Sequence, residues 1–264
     1  MGRISVVMAV YNAASTINKC LDALKWADEI IVMDTSSTDG TKAICSQYQN
    51  CKVIDDPCND INLKRNKGYE LAIGDWVLNL DADEMIPQAL AKEIEEIISL
   101  SGPGYDGYFS SNREFLFGKW IYYVNGQKHR PQRYFLFKKG YLIWPGKRTH
   151  EMPQIKGRWG RLKNLFDHEP PNFSVTAFIR KIDNYTEVDM GKMTLDEARC
   201  RFKWHRMTLL PIKQFIIMYI KHQGFRDGMA GLIISVLTSF NIFVEQAKLW
   251  EFIYVRNAGI LNHG

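Results

Sequence analysis

The sequence lacks the features that would place it in several simple functional classes. Its five cysteines (Cys20, Cys45, Cys51, Cys58 and Cys200) are odd in number and contain no C-x-x-C pair. That argues against a disulfide framework and a zinc site, and fits reduced thiols. The apolar run in "MGRISVVMAVYN" is too short for a signal core with a cleavage site, so a cytoplasmic chain is expected. Net charge is only +5 over 264 residues, and a mildly basic balance does not by itself indicate nucleic acid, so none is expected as a partner. There is no internal repeat and no low-complexity tract, which excludes a solenoid.

Apolar residues make up 46% of the chain, enough for a sizeable core. The first hundred residues alternate strand and helix patterns. Strands are predicted at 4–10, 29–34, 51–56 and 75–81. Between them, helices are predicted over 13–27 (capped by Ser15 or Thr16), from 36 onward, over 62–72 and over 87–100. This alternation predicts a parallel sheet of βαβ units, whose ligands bind beyond the carboxyl ends of the strands. Asp34, Asp56 and Asp81 all fall at such ends. Asp56 is explained well enough by an ordinary turn.

"VLNLDADEMI" (77–86) poses the sharper problem, because Asp81, Asp83 and Glu84 crowd the end of an apolar run. Two aspartates one residue apart can share a divalent cation, and hard oxygen ligands select Mg²⁺ or Mn²⁺. Such an ion would relieve the repulsion and leave positions open for phosphates. Glu84 is expected to cap the helix beginning near Pro87.

Three segments carry a resemblance: "SVVMAVYNAASTINKCLDAL", "EIIVMDTSSTDGTKAI" and "NLKRNKGYELAIGDWVLNLDADE". In order and spacing they resemble the family 2 glycosyltransferases, inverting enzymes of the GT-A fold that use nucleotide-sugar donors. The likeness covers residues 3–115, and extends more loosely to "RTHEMP" (148–153) and the helical tail. The whole-length pattern is similar to bacterial enzymes that add glucose or heptose-type sugars to the lipopolysaccharide inner core. Sublancin-type peptide S-glycosyltransferases share the early motifs. The resemblance implies a UDP-sugar donor and a Mn²⁺ or Mg²⁺ cofactor. It further implies that Ala9 and Tyr11 line the nucleobase pocket, with Ala9 standing where the family usually has proline. Asp34 would hold base or ribose, and Arg65 would approach the nucleotide. In the triplet Asp81-Ala82-Asp83, Asp81 would touch ribose or sugar hydroxyls and Asp83 would ligate the metal. His168 is a further candidate for the metal shell. The family's usual Glu-Asp pair for the general base is missing. Glu151 in "HE" is the best substitute, against the alternative that it merely pairs with Arg148 or Lys147, and Glu84 is the rival base.

From 105 to 170 aromatic and basic residues alternate, which predicts antiparallel strands with turns at Asn125-Gly126 and Lys139-Gly140. From 173 the chain reads helical, with one segment interrupted at Pro211. Gly228–Val244 carries no charge, yet its polar residues favour a buried or interfacial helix over a span. Lys and Arg beside aromatics suit a surface lying on anionic lipid. The fold expected is therefore α/β, a GT-A (Rossmann-like) doubly wound, mostly parallel sheet with a helical C-terminal extension. Residues 1–170 would form the catalytic domain (nucleotide-sugar half 1–100, acceptor half 101–170), and 171–264 the extension. The function expected is metal-dependent transfer of a hexose, glucose by resemblance, to lipopolysaccharide core or another surface glycan, peripherally on the cytoplasmic face of the inner membrane. Two rivals remain: a peptide or protein acceptor, and a non-catalytic nucleotide-binding scaffold. A sugar nucleotidyltransferase would carry a Gly-rich basic loop after the first strand, and "AVYNAAST" has none. The sequence leaves the oligomeric state open.

Overall fold

A computed structural model of the chain describes residues 2–99, 104–124, 132–145, 152–171, 173–191 and 193–256. The chain divides into two compact units, Met1–Glu114 with Pro131–Pro171, and Phe115–Arg130 with Asn172–Gly264.

In the first unit, β1 (Ile4–Val10), β2 (Glu29–Asp34), β3 (Cys51–Asp55) and β4 (Trp76–Asn79) form the parallel heart of a sheet. Three more strands join it: β6 (Gly107–Ser110), β9 (Arg133–Lys138) and β12 (Trp159–Arg161). The order is β12-β6-β9-β4-β1-β2-β3. β2 and β4 flank β1 on opposite sides, both parallel to it, so the winding direction reverses at β1/β4. That reversal opens a crevice at the strands' carboxyl ends.

Alternate residues of β1 serve two cores. Ile4, Val6, Met8 and Val10 pack with α1 (Ile17–Asp22), α2 (Thr41–Cys45) and α4 (Gln88–Ser99), while Val7 packs beneath α3 (Ile61–Leu71). Helices therefore cover both faces, the doubly wound α/β arrangement expected. α3 starts where Asp60 accepts hydrogen bonds from the backbone N–H of Asn62 (2.8 Å) and Leu63 (3.1 Å). Gly68 lets α3 lie close on β1, because a Cβ there would stand 2.4 Å from Val7 Cγ1.

Several local expectations change. α1 is six residues long because Ala13 and Ala14 are tied to Thr41 and Asp39 instead of entering the helix. Thr16 occupies the N-cap position but makes no side-chain cap bond. The 105–170 strands are not uniformly antiparallel. β9 runs antiparallel to β4 and β6, whereas β12 is parallel to β6. Lys139-Gly140 does form a turn, with Tyr141 N–H donating to Lys138 O (3.0 Å), but β10 (Leu142–Ile143) then pairs with β11 (Gln154–Ile155) rather than β9. The turn expected at Asn125-Gly126 lies outside the described residues.

A smaller sheet holds β5 (Glu84–Met85), β13 (Phe166–His168) and β7 (Asn112–Leu116) side by side in that order. β7 carries the chain into the second unit, where β8 (Lys119–Ile121) follows. There Asp227 accepts three hydrogen bonds, from the backbone N–H groups of Tyr122 (3.1 Å), Tyr123 (2.8 Å) and Val124 (2.8 Å). This carboxylate fastens the 115–124 segment to the helices. The helices are α5 (Val175–Gly191), α6 (Leu195–Arg201), α7 (Trp204–Phe215) and α8 (Gly228–Glu251). The break expected at Pro211 falls instead at Phe202–Lys203. α7 runs through Pro211 and widens into a π-helical stretch at Ile216–Lys221.

Candidate active site

The site is built at the carboxyl ends of β1, β2 and β4, where the sequence places its acidic residues. Ala9 is half-buried near the end of β1, level with Met33 of β2, and Tyr11 just beyond it is 63% exposed. The loops after β1 and β2 are laced together: Asn12 N–H donates to Ser37 Oγ (2.8 Å) and Thr38 N–H donates to Asn12 Oδ1 (2.9 Å). Asp34 is fully buried. It accepts from Ser37 N–H (2.8 Å) and Ser37 O–H (2.5 Å), and Lys42 approaches to 3.3 Å. Its carboxylate holds this loop in shape, so direct contact with base or ribose would require Ser37 to give way. Asp56 is a turn residue, accepting from Cys58 N–H (3.0 Å) and paired with Lys67 (2.8 Å).

The chain turns tightly after β4, with Glu84 N–H donating to Asp81 O (3.1 Å), and the two carboxylates take different partners. Asp81 meets two guanidinium groups, Arg65 at 2.7 Å and Arg133 at 3.3 Å. Burial opposes its ionisation, but Arg133 and Arg65 outweigh that and hold its pKa below the ordinary carboxylate range. Ala82, between the two aspartates, is buried.

Glu84 does not cap α4 as expected. It sits in β5 with its carboxylate turned back, accepting from Asp81 N–H (2.9 Å) and paired with Arg133. Burial pushes its pKa up to about 7 in spite of Arg133. Arg133, from β9, also lies over the ring of Phe166 at 5.5 Å.

Asp83 pairs instead with His168. The register puts His168 opposite Glu84 on one side and opposite Glu114 on the other. His168 Nε2 lies 3.4 Å from Asp83 Oδ2, and its Nδ1 lies 3.0 Å from Glu114. Asn112 Nδ2 donates to Glu114 at 2.6 Å, and Glu169 N–H donates to Asp83 O at 3.0 Å. Burial works against the imidazolium, but Asp83 and Glu114 outweigh it and raise the pKa to about 10. Among the described residues no group of three His, Cys, Asp or Glu donors is arranged to hold an ion. Two such atoms 3.4 Å apart can nonetheless both reach one ion at ~2.1 Å each once Nε2 gives up its proton to make way for the metal. Mg²⁺-type sites commonly use one or two protein ligands and leave the rest to water and substrate phosphate. The pair fits that pattern, with Glu114 on the far ring nitrogen as the outer partner that fixes the imidazole.

Arg65 and Asp81 are therefore brought together, and so are Asp83 and His168, while Glu151 lies outside the described residues. Three residues were missed. Arg133 and Glu114 stand as charges within aromatic strands, and that is the one local signal they carry. Lys64, beside Arg65, is buried, with its Nζ bonded to the Thr35 hydroxyl. Burial lowers its pKa, although Asp56 and other acidic neighbours work the other way.

The family model "Glycosyl transferase family 2" matches residues 5–168, more than half of the chain and all of the site just described. The chain belongs to glycosyl transferase family 2. It is a glycosyltransferase. Among its relatives, the lipopolysaccharide core biosynthesis glycosyltransferase LpsC of Rhizobium meliloti (strain 1021) is 24% identical over 254 residues, 94% of this chain and 92% of that protein. An uncharacterized glycosyltransferase of Rickettsia felis is 34% identical over 268 residues, 95% of this chain and 90% of that protein. A solved structure of S. aureus TarS (residues 1–349) with UDP-GlcNAc aligns over 98% of this chain and 84% of that one, at 15% identity and a TM-score of 0.49.

Proposed function

We propose that this family 2 glycosyltransferase moves a hexose, glucose by its resemblance, from a UDP-sugar to lipopolysaccharide core or another lipid-linked surface glycan. The observation that carries the reading is the pairing of Asp83 with His168 beside Asp81, Arg65 and Arg133, at the carboxyl end of β4. The name of the LpsC relative supports the acceptor class.

Ala9 and Tyr11 would border the nucleobase, with Asp34 holding the loop that frames it. Arg65 would approach the nucleotide and also steady Asp81, whose carboxylate would accept from ribose or sugar hydroxyls. Arg133 keeps Asp81 and Glu84 fixed without a bound cation. Asp83 and His168 would hold a Mn²⁺ or Mg²⁺ ion, which supplies neutralisation of charge on the departing diphosphate. Inversion requires an acceptor hydroxyl to attack the anomeric carbon from the opposite face, and Glu151 is our candidate for the base that takes its proton. An acceptor carried on lipid would call for contact with an anionic membrane on its cytoplasmic face, and the basic, aromatic helices of the second unit supply the composition.

The test is transfer of label from UDP-glucose, with Mn²⁺, into membranes of a strain lacking the gene. Label in the lipid fraction, lost in Glu151→Gln, is the expected result. Label in protein would move the acceptor to a polypeptide. Absence of transfer or hydrolysis with any UDP-, GDP- or dTDP-sugar would sink the donor assignment.

A further inference from the structure

The second unit has apolar cores of its own, yet α8 leaves its largest apolar side chains outside them. Four of the seven buried residues of α8 are Gly231, Ser235, Ser239 and Gln246. Its large apolar residues Met229, Val236, Phe240, Phe243 and Trp250 are exposed, at spacings of 7, 4, 3 and 7 that align them along one stripe. The buried hydroxyls are satisfied within the helix, Ser235 Oγ donating to Gly231 O and Ser239 Oγ to Ser235 O, both at 2.7 Å. Small residues at the helix contact with large apolar side chains outside is how helices pack when their surroundings are hydrocarbon. α7 shows the same feature: it has no buried residue, and Ile212, with Ile216 and Ile220 in the π-helical stretch that follows, is exposed.

Charge says which apolar medium. Between Ala198 and Arg226 there are seven Lys or Arg and no Asp or Glu. Lys203, Arg206, Lys213 and Lys221 are exposed among the isoleucines. The helical run Gly224–Val255 is long and apolar enough to cross a bilayer by length and composition, with 28% of its most apolar window buried. Yet α8 carries Glu245, Lys248 and Glu251 in its last two turns, and Lys248 is paired with Asp183 of α5 at 2.5 Å. A span of about 20 residues from Gly228 would draw Glu245 into hydrocarbon and strain the Lys248–Asp183 pair at its edge. A helix lying in the interface would not.

We infer that α7 and α8 lie in the plane of an anionic leaflet, with the Val236–Phe240–Phe243 stripe among the acyl chains and the α7 cations at the phosphates. This rests on the membrane reading above and names the face that makes the contact. The experiment is flotation of the full chain with phosphatidylcholine vesicles, with and without phosphatidylglycerol. Comparison proteins are Phe240→Ser/Phe243→Ser and Lys203→Gln/Arg206→Gln/Lys213→Gln. Circular dichroism melts check folding, and light scattering gives the mass without lipid. The account expects binding to anionic vesicles that weakens in salt. It expects at least ~10-fold weaker binding in the serine variant, and loss of the preference for anionic lipid in the glutamine variant. Wild-type binding that both variants retain would keep the membrane reading and overturn this face. Wild-type failure to bind any vesicle would overturn both. A stable wild-type dimer that the serine variant converts to monomer, with vesicle binding unchanged, would show that the stripe covers a second copy instead.

Discussion

Arg133 and Glu114 show how the site depends on residues that no local motif marks. Arg133 is the shared counter-ion of Asp81 and buried Glu84. Removing it leaves Asp81 with Arg65 and the His168 imidazolium, and Glu84 with the imidazolium, as positive neighbours. Breaking a buried pair typically costs about 3–5 kcal/mol, and the partial exposure of Arg133 lowers the expectation for Arg133→Ala to ~2–4 kcal/mol, read from urea unfolding midpoints. Glu114 acts through His168. Glu114→Gln is expected to weaken Mn²⁺ binding ~10–100-fold, measured by titration of the ion alone, with UDP binding in its absence unchanged. Equal loss of both would reduce Glu114 to a purely structural residue. Asp83, Asp81 and Arg65 were legible because each lies in a short motif at the end of an apolar run. His168 was singled out, but its position between Asp83 and Glu114 was not legible. That position depends on the β5-β13-β7 register, which joins segments 54 or more residues apart.

At the scale of elements, β1 to β4 and the helices between them were readable because continuous apolar runs and helical spacing are local signals. Helix ends were less so, since α1 is shortened by bonds from Ala13 and Ala14 to a loop 25 or more residues away. The parallel pairing of β12 with β6 had no local signature either. α3 must lie close on β1 to bring Arg65 to Asp81, and Gly68 permits that approach. Gly68→Ala is therefore expected to destabilise. Alanine's gain of ~1 kcal/mol in helix propensity is smaller than the ~1–3 kcal/mol of overpacking against Val7. The thermal midpoint should drop, and nucleotide affinity should weaken as Arg65 is displaced. A raised midpoint would mean that α3 has room to spare.

For the whole molecule, the first unit presents donor chemistry at strand ends, and the second presents an apolar, basic face. Calorimetric titration of UDP, with and without Mn²⁺, into wild-type protein and Asp83→Ala tests the central claim most directly. The account predicts that Mn²⁺ tightens UDP binding at least ~10-fold, and that Asp83→Ala removes this gain while keeping metal-free binding. UDP binding indifferent to Mn²⁺, or a Mn²⁺ effect that survives in Asp83→Ala, would contradict it.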